Sequence, residues 1–572
     1  MPFGSSMPAD FDRLNSSQLL DTSLAGQCLP PAAQAMELFD HFVRCLHPTF
    51  GVLHIPTTRA LIQQIYLSHS EIDLASVALV YSLFAGAALK WTMGLLQTLH
   101  ATQEDAKTAS STYIRMALAI IDQRDSIPAS TTMLQAISTL SFVLSHADGA
   151  SQTVHTLRAH LLAMARTMNI HRLDTAKRRE ERRLNGCSVV ETEVLRRIWW
   201  HLVASDWLPS LSAGPLEGSY LLQPKHMKVD YPSNVDDEAI PASECHYGYP
   251  LSIPTSMTAF LCRIRLAELC REVVDAMPSV FFEYPESSLD EVDYNLILRM
   301  DERFETFLND LPVFFKLDSQ SMQQSITICR ERPYIAWQRA ILHFGINTRI
   351  CRLHRPFHLA GLTDPRYVYS RMRCIRSAET VLHLRQSMEE LGHMDDLNPA
   401  RFWLVMQHFF SAAIILATDV SMAPTDAEAH GRREEVLAAC RMLERSKEES
   451  ATLKKAIQKN TKTLVSILEG RGVQPNHHHP PPPSRPRSSL NAHTLDFIMN
   501  ESPPIPRSPR HDDELLRDIN MSTPSLLADM QSISPTLGDD GWGKLWEDMF
   551  DAGRDLDIPQ WSSILDDIEF SC

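Results

Sequence analysis

Apolar positions between residues 33 and 470 recur at the three-to-four-residue spacing of amphipathic helices, and long alternating runs of the strand type do not occur. The stretch Val194–Asp206 shows the pattern best. Val190, Val194, Ile198 and Leu202 form one row at i,i+4 spacing, and Leu195, Trp199 and Val203 form the row beside it. Ser188-Val-Val-Glu191 upstream has capping-box spacing, and Pro209 downstream ends any helix. Arg196, Arg197 and His201 fall off this stripe, with Glu193 four residues before Arg197 in the favourable order for a helical ion pair. Trp200 also lies off it, near Arg196, and is expected to be covered by a second layer of helix.

Taken in order, residues 1–32 lack periodicity and read as a disordered leader. A helix is expected over Ala33–Cys45, where His41 and Cys45 share a face without enough neighbours to hold a metal. Ile72–Met168 reads as helix after helix, broken at Asp125–Pro128 and His146–Gly149. The basic run Lys177, Arg178, Arg179, Arg182 and Arg183 is a candidate nuclear-import segment, although Glu180 and Glu181 within it favour a solvated helix face. Pro209–Pro254 is a long Pro/Gly/Tyr-rich stretch that either serves a function or wraps a core. Helices resume at Met257–Ala276, Asp290–Leu308, Tyr334–Arg352, Arg366–Glu390, Arg401–Val420 and Glu434–Leu468. Arg349, Arg352 and Arg355 sit at one helix end, where cations are favoured on structural grounds alone. The chain therefore reads as all-α: one large multi-helix domain over 33–470, a Pro/Ser-rich linker over 471–538 and a last region over 539–572.

Charge separates the tail from the body. Of the formal net charge of −16, the residues from Gln474 onward carry −10, so nucleic acid is repelled unless a local basic patch or a partner intervenes. Eleven scattered cysteines without a Cys-x-x-Cys pair fit reduced, intracellular thiols. The first twelve residues do not resemble a signal peptide. Leu74–Leu89 and Phe402–Ala417 are apolar but short and polar-dotted, so buried helices are expected rather than membrane spans. In the linker, the His477–His479 run binds metal only weakly, and the following prolines make an extended spacer. Ser502, Ser508, Thr523 and Ser534 precede prolines and are candidate kinase substrates.

From Asp539 to Cys572, ten acids stand against Lys544 and Arg554, interleaved with Trp542, Leu545, Trp546, Met549, Phe550, Trp561, Leu565 and Phe570. The acids keep the bulky groups in water, leaving the aromatics free to dock as transient helices in a partner's groove. This is the composition of an acidic activation region, with Trp542, Leu545, Trp546, Phe550, Trp561, Leu565 and Phe570 as its expected contacts to the transcription machinery or a coactivator. Refolding onto the body is the alternative.

Catalytic motifs give nothing positive. Gly538–Lys544 has Walker A spacing, but Leu545 stands where Ser or Thr must hold Mg²⁺ and Asp539 and Asp540 would repel phosphate. Nucleophile-elbow, zincin and kinase motifs are missing, so neither an enzyme nor a cofactor is expected.

Four segments together resemble the fungal-specific transcription factor domain, the regulatory middle region of fungal zinc-cluster regulators. They are Leu46–Phe50 with Leu53-His54 and Pro56-Thr57; Met168–Leu173; Leu195–Trp200 with Asp206, Gly214-Pro215, Pro232 and Asp236-Asp237; and Leu353–Phe357. The resemblance implies an all-α regulatory domain in a nuclear transcription regulator, commonly a homo- or heterodimer. It also implies response to a small-molecule effector and control of nutrient or specialised-metabolite genes. The family's amino-terminal six-cysteine zinc cluster has no counterpart here, since only Cys28 and Cys45 precede residue 100. DNA contact is then direct through other residues, or made by a partner, or encoded by an exon upstream. The alternative function is a co-regulator that pairs with a zinc-cluster protein.

Overall fold

The computed structural model of the chain describes residues 3–4, 29–67, 73–123, 127–147, 151–186, 188–212, 214, 216–241, 247–282, 291–391, 398–446, 462, 464, 465 and 468. Regular structure among them is entirely helical, as the periodicity predicts. Most of the expected leader and all of the linker and acidic-aromatic region lie outside the described residues.

The first half runs α1 (Ala32–Cys45), α2 (His47–Phe50), α3 (Ile55–Leu67), α4 (Leu74–Leu89), α5 (Met93–Leu99), α6 (Gln103–Ile121), α7 (Thr131–Ala147) and α8 (Gln152–Thr167). Asp73 caps α4 by accepting from the backbone of Ala75 and Ser76 at 3.3 and 3.1 Å. Every residue of α4 from Ala75 to Ala88 is buried, because α1, α6 and α7 pack around it. Small residues permit that crowding. A Cβ at Gly86 would stand 2.8 Å from Val143 and 2.9 Å from Leu46. The expected continuous helical stretch over 72–168 thus has two further breaks, at Lys90–Thr92 and His100–Thr102, where Thr92 and Thr102 start new helices. The segment after Cys45, read only as a packed helix end, forms α2 and α3.

The second half comprises α9 (Ala176–Asn185), α10 (Val189–Trp207), α11 (Thr258–Ala276), α12 (Tyr294–Asn309), α13 (Ser319–Gln324), α14 (Ile326–Glu331), α15 (Tyr334–His354), α16 (Val368–Leu391), α17 (Trp403–Met422) and α18 (Ala429–Arg445). Two hydrophobic cores result, and α11 and α15 serve both. On α11, Phe260, Ile264 and Ala267 enter the larger core while Leu266, Leu269 and Val273 enter the smaller. On α15, Phe344 and Cys351 face one core, and Leu342, Ile346 and Ile350 the other. α17 is long and apolar enough to cross a membrane, yet it is mostly buried within the fold. Asp419 on α17 binds Arg371 of α16 and Arg432 of α18 at 2.7 and 2.9 Å, and His358 lies 3.2 Å away. Burial pushes its carboxyl up, but these partners outweigh burial and hold it at about 2.

The organising helix differs from its sequence reading in one respect. Arg197 and His201, expected off the buried stripe, are themselves buried, with Arg197 at 0% exposure. Leu53 and Asp237 close over Arg197, and Phe50, Phe142 and Arg263 surround His201. Trp200 is likewise buried, but what covers it is the irregular segment at Asp230–Tyr231 and not a helix. Its indole N–H donates to Asp230 O at 2.9 Å, and its ring lies 4.7 Å from that of Tyr231. The capping box is only half formed. Ser188 accepts from the Glu191 backbone at 3.4 Å, whereas the Glu191 carboxylate accepts from the Thr131 hydroxyl at 2.9 Å. The Arg349–Arg355 helix end is structural: Arg349 donates to Leu208 O at 2.9 Å and Arg352 pairs with Glu217.

Candidate functional site

A wrapping segment without a strand ladder must satisfy its backbone N–H groups by other means. Here carboxylates do so, one after another. Asp206 accepts from Leu221 and Leu222, the latter at 2.7 Å. Asp174 accepts from Asp230 at 2.9 Å, Glu193 from Ser233 at 2.8 Å, and Asp236 from Ser256 at 2.7 Å. Asp237 reaches back to the amino-terminal helices and accepts from Ile55 at 2.6 Å.

Guanidinium groups neutralise these carboxylates. Asp174, fully withdrawn from solvent, pairs with Arg196 at 2.7 Å and Arg182 at 3.0 Å. Arg197 donates to Asp237 at 2.7 Å and to Leu53 O at 2.9 Å, and its Nε is 3.7 Å from Glu193. The Glu193–Arg197 pair expected from sequence is therefore present, as one arm of a larger buried network. Burial pushes the Asp237 carboxyl up, but the Arg197 charge, His47 and the Ile55 hydrogen bond overcome it and hold it below the usual range. His47 beside it is lowered, chiefly by burial.

Outside this network lies a cleft of about 550 Å³, bordered by the end of α1, residues 236–238 and the start of α15. Val43, Ile55 and Trp337 supply apolar wall, and Asp236, Arg332 and Tyr334 supply the polar side. Arg332 donates to Asp236 at 2.7 Å and to the Tyr334 hydroxyl at 2.7 Å. The Trp337 indole N–H is buried and has no hydrogen-bond partner. An apolar hollow with a few convergent polar groups suits a small molecule. Arg332, Tyr334 and Trp337 were not singled out from sequence. The only available signal was Asp236-Asp237, which marks the polar edge.

The expected import segment occupies α9, which contributes nothing to the core. Each of its cations has an acidic partner: Lys177 and Arg178 lie 3.9 and 3.2 Å from Glu181, Arg183 lies 2.6 Å from Glu180, Arg179 pairs with Asp230, and Arg182 with Asp174. His41 and Cys45 do meet, at 3.7 Å, but His41 Nε2 is directed to Lys90 O at 2.8 Å. Among the described residues, no group of three or more His, Cys, Asp or Glu is placed to hold a metal. The expected activation-region residues Trp542, Leu545, Trp546, Phe550, Trp561, Leu565 and Phe570 lie outside the described residues.

Among the described residues, the helices and the wrapped helix α10 define the chain as an all-α body. Comparison with known proteins gives the particular family. Residues 39–273 match the fungal specific transcription factor domain. The chain is 34% identical over 471 residues to the probable transcription factor lepB of Aspergillus flavus, covering 79% of this chain and 80% of that one. It is 28% identical over 490 residues to the agnestins biosynthesis cluster transcription factor AgnL11 of Paecilomyces divaricatus, covering 83% and 68%. It is also 29% identical over 430 residues to transcription factor TAS2 of Pyricularia oryzae, covering 69% and 53%. The chain belongs to the fungal-specific transcription factor family and is a regulator of transcription.

Proposed function

We propose that the chain acts in the nucleus as an activator of a specialised-metabolite gene cluster, working through residues 539–572. Similarity along most of its length to transcription factors, one of them named for a biosynthetic cluster, carries this reading. Trp542, Leu545, Trp546, Phe550, Trp561, Leu565 and Phe570 are the contacts to coactivator, and ten acids against two bases keep them in water. Lys177, Arg178, Arg179 and Arg183, the outward-facing cations of α9, are the proposed import contacts with Arg182, which is also held by Asp174. The cleft beside Arg332 and Trp337 is the proposed seat of a small-molecule effector.

Fusion of residues 475–572 to an unrelated DNA-binding domain should activate a reporter, and alanine at Trp546, Phe550 and Trp561 should abolish it. Silence of the intact fusion would overturn the activator reading.

DNA contact through a zinc-cluster partner is the second reading, favoured by the net charge of −16, which repels nucleic acid unless a basic patch or a partner intervenes. Co-purification with such a protein, and no DNA shift by the chain alone, would support it.

A further inference from the structure

A second, separate cleft of about 430 Å³ lies where the end of α8 and the turn at residues 169–175 meet the segment 222–228. Its floor is apolar: Trp199, 1% exposed, with Leu222 and Met227. Its rim is cationic, made of Arg166, Arg172, Lys225 and Lys228 with His171 and His226, and no acidic residue lines it.

In a chain of net charge −16, this hollow sets four cations together with no acid on its lining. Among the described residues, no carboxylate makes a salt bridge to Arg166, Arg172, Lys225 or Lys228, although the Arg166 charge reaches Asp206. Like charges around a concave, low-dielectric wall repel one another and focus a positive potential into the hollow. His171 registers that potential. His171 is lowered by burial and then by Arg172 and Arg166, and its Nδ1 is buried without a hydrogen-bond partner.

We propose that this cleft binds a small organic anion: a carboxylate, sulfonate or phosphate ester carried on a flat apolar body. The anionic head sits among Arg166, Arg172, Lys225 and Lys228, and the body lies against Trp199, Leu222 and Met227. Inorganic phosphate alone would leave the apolar floor unused. The site also has a mechanical connection. Lys228 N donates to His171 O at 2.7 Å and Asp174 N to Lys228 O at 3.0 Å, so a ligand spanning these two segments stiffens the start of the strap that covers Trp200. The site is distinct from the Arg332 cleft and does not depend on the regulatory reading.

Calorimetry on the full chain tests it with three probes: 2-naphthoate, its neutral analogue 2-naphthalenemethanol, and inorganic phosphate. Naphthoate should bind about tenfold or more tightly than either, a difference of one well-placed charge interaction. The exposed pair Arg172→Gln/Lys225→Gln should lose at least about tenfold in naphthoate affinity with an unchanged melting curve, and Arg332→Gln should lose none. Raising salt from about 50 to about 300 mM should weaken the wild type several-fold and the double variant little. Absence of naphthoate binding, equal binding of the neutral analogue, or an unaffected double variant would overturn the proposal. Phosphate binding as tightly as naphthoate would overturn the apolar half of it.

Discussion

Replacing Arg197 by methionine tests the buried network directly. The side chain is fully buried, donates to Asp237 at 2.7 Å and Leu53 O at 2.9 Å, and lies 3.7 Å from Glu193. Methionine fills similar volume but supplies neither charge nor donor, leaving Glu193 and Asp237 buried together. Removing one partner of a buried pair costs about 3–5 kcal/mol. A loss near 4 kcal/mol lowers the folded-to-unfolded ratio about a thousandfold. By comparison, Lys177→Ala removes an 86%-exposed partner at 3.9 Å from Glu181 and should cost under about 0.5 kcal/mol. The assay is the urea midpoint by circular dichroism at several pH values. In the wild type, Asp237 has a folded-state pKa below its unfolded value, so its contribution is present above the unfolded value and is lost as pH falls through the folded one. Without Arg197, burial, opposed now by His47 and the Ile55 hydrogen bond, raises the carboxyl relative to wild type, so the variant regains stability relative to wild type as pH drops below about 5. A deficit under about 1 kcal/mol, or one equal at neutral and acid pH, would refute this account of the network.

Two further outcomes are expected. Trp200→Phe keeps the ring over Tyr231 but loses the 2.9 Å bond to Asp230 O, a cost of about 1 kcal/mol, so limited proteolysis within residues 228–237 should quicken about fivefold. His146 and His408 are pushed down to about 3, first by burial, so both stay neutral in the folded chain. Their stabilising contribution is full above the unfolded value of about 6.5 and drains away as pH falls toward about 3. His146→Phe, set between Phe142 and Phe402 at 4.6 and 5.5 Å, should flatten the stability slope across that window by about 1.4 kcal/mol per pH unit. An unchanged slope would count against a neutral buried imidazole.

Helix type and most helix limits were legible. Ser188 and Pro209 bracket α10, and Met257–Ala276 and Tyr334–Arg352 fall within two residues of α11 and α15. The breaks at Lys90–Thr92 and His100–Thr102 were not legible, because Ala- and Leu-rich sequence flanks them and the threonine caps compete with strong helix formers on either side. Arg197 and His201 were misplaced for a different reason. Periodicity gives the stripe that one face buries, but Leu53 and Asp237 cover Arg197 and Phe50 and Arg263 cover His201, from distant segments that local spacing does not record. The clefts were invisible in sequence. Val43, Asp236, Arg332 and Met388 border one hollow from four separated segments.

The sequence by itself determined the helical class, the family, the separation of an acidic tail from the body and the Glu193–Arg197 pair, because each depends on spacing or composition within one segment. Tertiary structure alone decided that Trp200 is covered by a strap and not by a helix, that Asp237 closes on Ile55, and that four cations gather around Trp199 with no acid on the lining. Those outcomes depend on which distant segments pack together. That choice is made by the combined burial and hydrogen-bond satisfaction of the whole body, and local patterning does not record it.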